Sequence, residues 1–392
     1  MSEEDMRKRE VINEKRSSTY DSPFSKKTTS SSRLATYIIE RQIGKFICSF
    51  EIHFAELPLI IIGTIILGYL VNPTSRNPFS KFLFVAYPIG SHHDHTKLTK
   101  ISYGKGLWDL CLISFWVVVF TFTREAIMQY VLKPLGTWAE IKKSKLTRFM
   151  EQGYVVIYYS ISSAVGVYMM RQSPYWYFET KYFWIDYPHF HLSALEKYYY
   201  LIQSGFWLQQ VVILILNLEK PRKDFLELVA HHVITCVLIG GSYLFNFTRI
   251  GNAVFITMDF SDIWLAVAKC LKYLQFPTLI TDSMFVLFMI TWAYTRHYLY
   301  GFITYSTVFE ACLPDINPCI WDPLNGYWLH KWTRFIIALG LMALQILMIY
   351  WFVLILRIAW RVLNGKNAED TRSDTEDDEI TPSNPTNTKK SD

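Results

Sequence analysis

The chain has 392 residues, of which 51% are hydrophobic and 17% aromatic, with only 19% charged. That leaves too little polar material to cover a soluble globule of this size, so the composition points to the membrane class. The net charge of +5 does not mark a nucleic-acid partner, because the basic residues gather at alternate ends of apolar runs instead of forming one stripe.

In chain order, residues 1–34 are polar, Ser/Thr-rich and charged, and read as a disordered cytosolic tail. No basic head, short apolar core and small-residue cleavage site precedes the first apolar run, so a retained anchor is expected. Residues 35–106 hold that first helix and a long loop, and 107–362 form the membrane body. About eight runs approach the roughly 20 apolar residues that a spanning helix needs. They cover 53–71, 107–130, 151–170, 195–217, 226–246, 252–272, 281–300 and 334–360, and predict an all-α, polytopic helical bundle.

Basic residues before the first span, around Lys142 to Arg148 and at Lys220 to Lys223 alternate correctly if both termini are cytosolic. The loop 72–106, with Arg76, Lys81, Lys97, Lys100 and Lys105, runs against that pattern. It and the loop 301–333 fall on the lumenal side and are long enough to fold over the bundle.

Most of the six cysteines sit in or beside apolar runs, where they pack as small hydrophobes. Cys312 and Cys319 share the last lumenal loop, where a disulfide can form; a bridge and two free thiols both fit. Asn246-Phe247-Thr248 is a glycosylation sequon tight against a span, and is expected to stay empty. Residues 363–392 read as an acidic, disordered cytosolic tail. In it Thr371, Ser373 and Thr375 each precede an acidic residue by three positions, which suits an acid-directed kinase as well as a plain solvated tail. The terminal Lys389 and Lys390 match a dilysine retrieval signal of the endoplasmic reticulum.

Ionisable residues inside apolar spans are costly, and therefore candidates for function. The densest set lies in the fifth and sixth spans: His231 and His232, then Asp259 and Asp262, with Lys269 further along the same face. The two spans are joined by only a few residues and must be antiparallel neighbours, so the histidines and aspartates can meet. A histidine beside a buried carboxylate suits general acid-base chemistry, and equally a nucleophile that accepts an acyl group. The residues alone do not choose between these, nor between catalysis, proton relay, haem ligation and interhelical pairing. A di-iron enzyme would need several histidine clusters, and the chain has ten histidines in all. The only other cluster, His92-His93-Asp94-His95, reads as an exposed loop with zinc as the alternative, and His189 and His191 read as surface residues.

The stretch from Glu219 to Tyr273 resembles the longevity-assurance motif of the TLC-domain ceramide synthases. The likeness rests on Lys220-Pro221-Arg222-Lys223-Asp224-Phe225, His231-His232, Ser242-Tyr243, Arg249-Ile250-Gly251, Asp259 with Asp262, and Lys269. It extends to Tyr103-Gly104-Lys105-Gly106, Glu151-Gln152 and Phe206-Trp207, and the long polar tails are similar to the fungal branch. The resemblance implies that 107–362 is a TLC catalytic domain transferring a long or very long acyl chain from acyl-CoA to the amine of a sphingoid base. His231, His232, Asp259 and Asp262 would be the catalytic set, with no metal or other cofactor.

It also implies the endoplasmic-reticulum membrane, a homodimer or paralogue heterodimer, and a small single-span accessory subunit. Lys220, Arg222 and Lys223 at the cytosolic mouth suit the phosphates of CoA as well as simple positive-inside topology. The competing reading is a non-enzymatic TLC-domain protein that handles lipid or serves the translocon.

Overall fold

The computed structural model describes residues 56–90, 101–216, 218–219, 223–317 and 319–364. Both tails, the His92–His95 cluster, Lys220, Arg222, the phosphorylation sites and the terminal lysines lie outside these residues.

Each expected span coincides with a helix. They are α1 (Glu56–Val71), α2 (Asp109–Trp138), α3 (Lys143–Gln172), α4 (Ala194–Ile215), α5 (Phe225–Leu244), α6 (Thr248–Tyr273), α7 (Thr278–Phe309) and α8 (Lys331–Leu363). Among the described residues, α2, α3, α5, α7 and α8 are long and apolar enough to cross a membrane, so this is a multi-pass helical membrane protein. Helix α1 is shorter. Helices α4 and α6 carry the polar residues of the interior, among them Lys197, Gln203, Asn252 and Asp259.

Several ends differ from the sequence expectation. Helix α3 starts at Lys143, since Lys143 to Arg148 form helix readily and extend the span as a polar turn. Helix α7 runs on to Phe309 through a π-helical turn, Ala293–Leu299, so part of the expected last loop is helix. A second π turn, Met128–Leu132, interrupts α2 just before Pro134, which has no N–H to close the regular ladder. Helix α4 begins with a capping box: Ser193 Oγ accepts from the Glu196 N–H at 3.2 Å, and Glu196 Oε2 accepts from the Ser193 N–H at 3.0 Å.

Helix α6 is the axis of the bundle. It packs along α3 and α7, and more briefly against α4 and α5, while α2 lies on α4 and α8 on α5. Side chains exposed on α5 and α8, such as Val237, Leu339 and Ile346, are apolar and suit contact with hydrocarbon.

The connections at the end expected to be lumenal form a polar clasp. Three two-residue strands, β1 (Pro88–Ile89), β2 (Ser102–Tyr103) and β3 (Leu192–Ser193), pair antiparallel in that order, a small addition to the all-α expectation. Beneath them Lys197, wholly buried, meets Asp109 Oδ1 at 2.7 Å and donates to the carbonyls of Ala86 and Gly104. The other Asp109 oxygen accepts from the Tyr243 hydroxyl at 2.7 Å and the Gly106 N–H at 3.0 Å. Gly106 lies against the Tyr87 ring, with no room for a Cβ. Lys105 donates to the Tyr243 carbonyl at 3.1 Å and to Asn246 Oδ1 at 2.9 Å. This basic residue, which ran against the charge pattern, therefore serves as an internal tie.

Burial, reinforced by the Lys197 charge and opposed by Asp109, pulls the Lys105 ammonium down to about 7. Unfolded, the same group keeps its proton to its ordinary 10.5. The unfolded chain then binds more protons between these values, so this residue makes stability rise as pH rises from about 7 towards 10. Melting curves in detergent across that range are expected to show a less positive slope for Lys105→Met than for the parent; equal slopes would remove the assignment.

Two expectations about this end change. His189 is not a surface residue: it is buried, Nε2 donates to the Ile185 carbonyl at 3.0 Å, and burial beside Arg249 drives it down to about 3. The reason is the loop itself, which Arg249 pins by donating to the Tyr182 and Ile185 carbonyls. His191 is exposed. Asn246 is buried between Lys105 and the Gly326 carbonyl, which leaves no space for a glycan. Cys312 and Cys319 are joined in a disulfide with Cα atoms 5.1 Å apart.

Candidate active site

Towards the opposite end of the bundle ion pairs take the place of the clasp. Arg124 bridges Glu125 and Glu219 at 2.8 and 2.7 Å, and Arg148 meets Glu151 at 3.0 Å. Between these groups opens a cavity of about 260 Å3 that descends into the bundle. Arg148, Glu219 and Lys269 border its mouth; His231, His232, Asp259, Asp262 and Arg296 border its interior. The four residues expected from α5 and α6 thus face one space, and Lys269 follows them on the same face, as the spacing required.

His231 and His232 lie edge to face with ring centroids 5.6 Å apart. His232 Nδ1 lies 2.8 Å from the Leu228 carbonyl. A carbonyl only accepts, so Nδ1 carries the proton, and in the neutral ring Nε2 is the nitrogen without one. The group that fixes this tautomer is a main-chain oxygen one turn back, where the sequence suggested a carboxylate. His231 is held between two indoles, Trp207 at 5.6 Å and Trp351 at 5.3 Å, and Trp351 Nε1 donates to Asp224 Oδ2 at 3.0 Å.

The two carboxylates differ. Asp259 is fully buried, and its Oδ2 accepts from Ser162 Oγ of α3 and Gln203 Nε2 of α4, both at 2.8 Å. Gln203 is oriented in turn by the Tyr158 hydroxyl. Asp262, one turn on, instead meets a cation: Arg296 Nη2 of α7 lies 2.8 Å from its Oδ2. Sequence reasoning missed Ser162, Gln203 and Arg296. Arg296 carried a usable signal, an arginine beside a histidine inside the seventh apolar span; Ser162 and Gln203 carried none.

A second cavity, of about 280 Å3, adjoins the first and shares Trp207, His231 and Met258 with it. Its walls are almost wholly apolar: Val233, Val237 and Leu238 from α5, Val254 from α6, Ile336 and Gly340 from α8. Val233, Val237 and Ile336 are also exposed on the outer surface, so this space is a cleft between α5 and α8 that opens sideways towards lipid. It ends at Phe245, Phe247 and Ile250 near the clasp.

The sequence-predicted residues fall into two groups. Ser242, Tyr243, Arg249 and Gly251 build the clasp: Ser242 Oγ donates to the Phe247 carbonyl at 2.7 Å, and a Cβ at Gly251 would strike Ser242 and Tyr200. His231, His232, Asp259 and Asp262 build the cavity. Lys223 sits on an exposed turn and does not border it. Among the described residues no group of side chains could hold a metal ion.

Residues 148–357 match the family model of the TLC domain. The chain is 42% identical to the sphingosine N-acyltransferase lac1 of Schizosaccharomyces pombe over 83% of its length and 82% of that protein's. It is 42% identical to the lag1 enzyme of that name from the same yeast, over 82% of the chain and 79% of the relative. With the ceramide synthase LAG1 of Saccharomyces cerevisiae the identity is 36%, over 82% and 76%. A domain match across more than half of the sequence and these identities across most of both lengths place the chain in the TLC-domain family of sphingosine N-acyltransferases, the ceramide synthases.

Proposed function

We propose that the protein transfers the acyl group of acyl-CoA to the amine of a sphingoid base, with His231, His232, Asp259 and Asp262 as its reacting site. The observation that carries the reading is the junction of the two cavities at His231. Acyl-CoA is a large polar head joined to an apolar chain through a thioester. A polar space meeting an apolar cleft at a histidine fits that division.

In this pose the CoA moiety lies in the polar cavity, its phosphates near Arg148 and Lys269, and the chain enters the cleft beside α8. The thioester carbon then lies at His231. The amine attacks that carbon directly or after the acyl group has passed to the imidazole. In either case the carbon–sulfur bond breaks, an amide forms, and the proton lost by the amine ends on the CoA thiol. His232, with Nδ1 committed to the backbone, offers Nε2 to carry that proton. Asp259, which accepts from a hydroxyl and an amide, both neutral, supplies negative charge that draws in the protonated amine, whose extra proton passes to solvent before the neutral amine attacks. A thioester is already activated, so the transfer asks for no metal and no redox cofactor.

The endoplasmic-reticulum membrane, with both termini cytosolic, suits the ion-paired mouth facing the supply of acyl-CoA and the terminal Lys389 and Lys390. The apolar outer faces would accept a second copy, a paralogue or a single-span subunit. The direct test supplies the purified protein with sphinganine and acyl-CoAs of graded length. N-acyl sphinganine is the expected product; no product from any of them, alone or with a co-purified small subunit, would remove the reading.

A further inference from the structure

Arg296 belongs to the cavity but to none of the motifs that point to it. It is the one guanidinium in the described interior that touches a residue of the candidate set. Three features hold it. Nη2 is shared between Asp262 Oδ2 at 2.8 Å and the Met258 carbonyl at 2.7 Å, and the guanidinium lies over the Trp292 ring at 3.9 Å. Its side chain is almost completely buried, while the Asp262 side chain keeps about a third of its surface.

The backbone is arranged for this contact. Arg296 sits inside the π turn Ala293–Leu299. Such a turn adds a residue to the helix and rotates the remainder of it by about 100° relative to an unbroken α-helix. The same turn presents Arg296 to α6 and His297 to α8, where His297 Nδ1 lies 2.7 Å from Gln345 Nε2. A widened turn costs regular hydrogen bonding, and such turns gather at functional sites.

We infer that Arg296 is a positioning residue for the acyl-transfer site: it fixes the Asp262 carboxylate and balances its charge, which leaves Asp259 as the carboxylate that receives the amine. The inference rests on the acyl-transfer reading and deepens it. A cationic amine entering the cavity meets one carboxylate already neutralised by a guanidinium and another whose partners among the described residues are a hydroxyl and an amide. Coulomb attraction in a water-poor space favours the second. Without Arg296 the two carboxylates, one turn apart, would compete for the amine and repel each other.

The test uses the full chain in detergent or nanodiscs, with acyl-CoA and sphinganine, and four variants: Arg296→Gln, Arg296→Lys, Asp262→Asn and Arg296→Gln with Asp262→Asn. The expected result is a fall in kcat of roughly 100-fold for Arg296→Gln, with KM for acyl-CoA within about threefold of the parent. Arg296→Lys should recover at least about tenfold of that loss, because it restores the charge but not the fork. The double variant should be no slower than the worse single one, as expected of residues acting as a unit. A folded Arg296→Gln protein with parental kcat, or Lys and Gln variants equally impaired, would overturn the inference. Melting temperatures of the same set give the pair's coupling without reference to activity, and additive losses there would also overturn it. An active parent with either of these results removes only the inference; an inactive parent across all acyl-CoAs removes the acyl-transfer reading.

Discussion

Replacing His231 with alanine is expected to abolish N-acylation, by at least about 10³-fold in kcat, while the protein still elutes and melts as the parent does. Among the described residues, the imidazole is the one titratable group in the wall that the polar cavity and the apolar cleft share. Whether it holds the acyl group or a proton, its indole neighbours Trp207 and Trp351 cannot replace it, since they offer N–H donors but no basic lone pair, and His232 does not border the apolar cleft. Truncation also leaves the space between two indoles unfilled, so a folded His231→Asn protein is the matched control. N-acyl sphinganine measured by mass spectrometry for each purified variant decides the matter. Turnover within tenfold of the parent in either one would remove His231 from the reaction and with it the proposed seat of the thioester.

The second large effect concerns chain length. Gly340 of α8 forms part of the cleft wall, and a Cβ there would come within 2.9 Å of a Leu238 methyl group. Leu238 is the flexible end of a side chain and can give way, so Gly340→Leu places its bulk in the space assigned to the acyl chain. Each methylene excluded from apolar surroundings forfeits about 0.8 kcal/mol. A block that excludes several should reverse a preference by roughly 100-fold or more in the kcat/KM ratio of longer to shorter acyl-CoA. Ala343→Leu, on the same wall, is the companion in case Gly340→Leu fails to fold. Competition between two acyl-CoAs in one tube reads the ratio directly. An unchanged ratio in both folded variants would mean that the chain lies elsewhere.

The helices were legible because hydrocarbon demands long apolar runs, and that demand is written residue by residue. Helix α6 was legible for a second reason: charges too costly to leave in lipid mark its inward face by their spacing alone. The extension of α7 to Phe309 was not, because Tyr300–Phe309 is interrupted by polar residues that only its neighbours Trp184 and Glu310 explain. The π turn Ala293–Leu299, unlike the one beside Pro134, has no sequence signature, so the delivery of Arg296 to Asp262 could not be foreseen. The two-residue strands are too short for any periodicity.

At the site, the pairing of His231-His232 with Asp259 and Asp262 followed from spacing and a short connection. Ser162 and Gln203 did not, since a lone serine or glutamine in an apolar run is ordinary helix packing until an acidic partner is seen. His189 was misread for a similar reason: a histidine in a loop looks solvated unless the loop is known to be pinned by Arg249.

The polar interior of α4 and α6 has a bearing on how the chain is made. An acidic or basic residue at the centre of a lone helix costs about 2.5–3.5 kcal/mol to place in a bilayer, and α6 carries Asp259 and Asp262 well inside its ends. Released singly from the translocon, such a segment is poorly retained. Helix α5 emerges immediately before it and Arg296 only with α7. Commitment of α6 to the membrane is therefore tied to synthesis of the next helix, and a ribosome halted between the two would leave a nascent chain that quality control can recognise by its uncompensated charge.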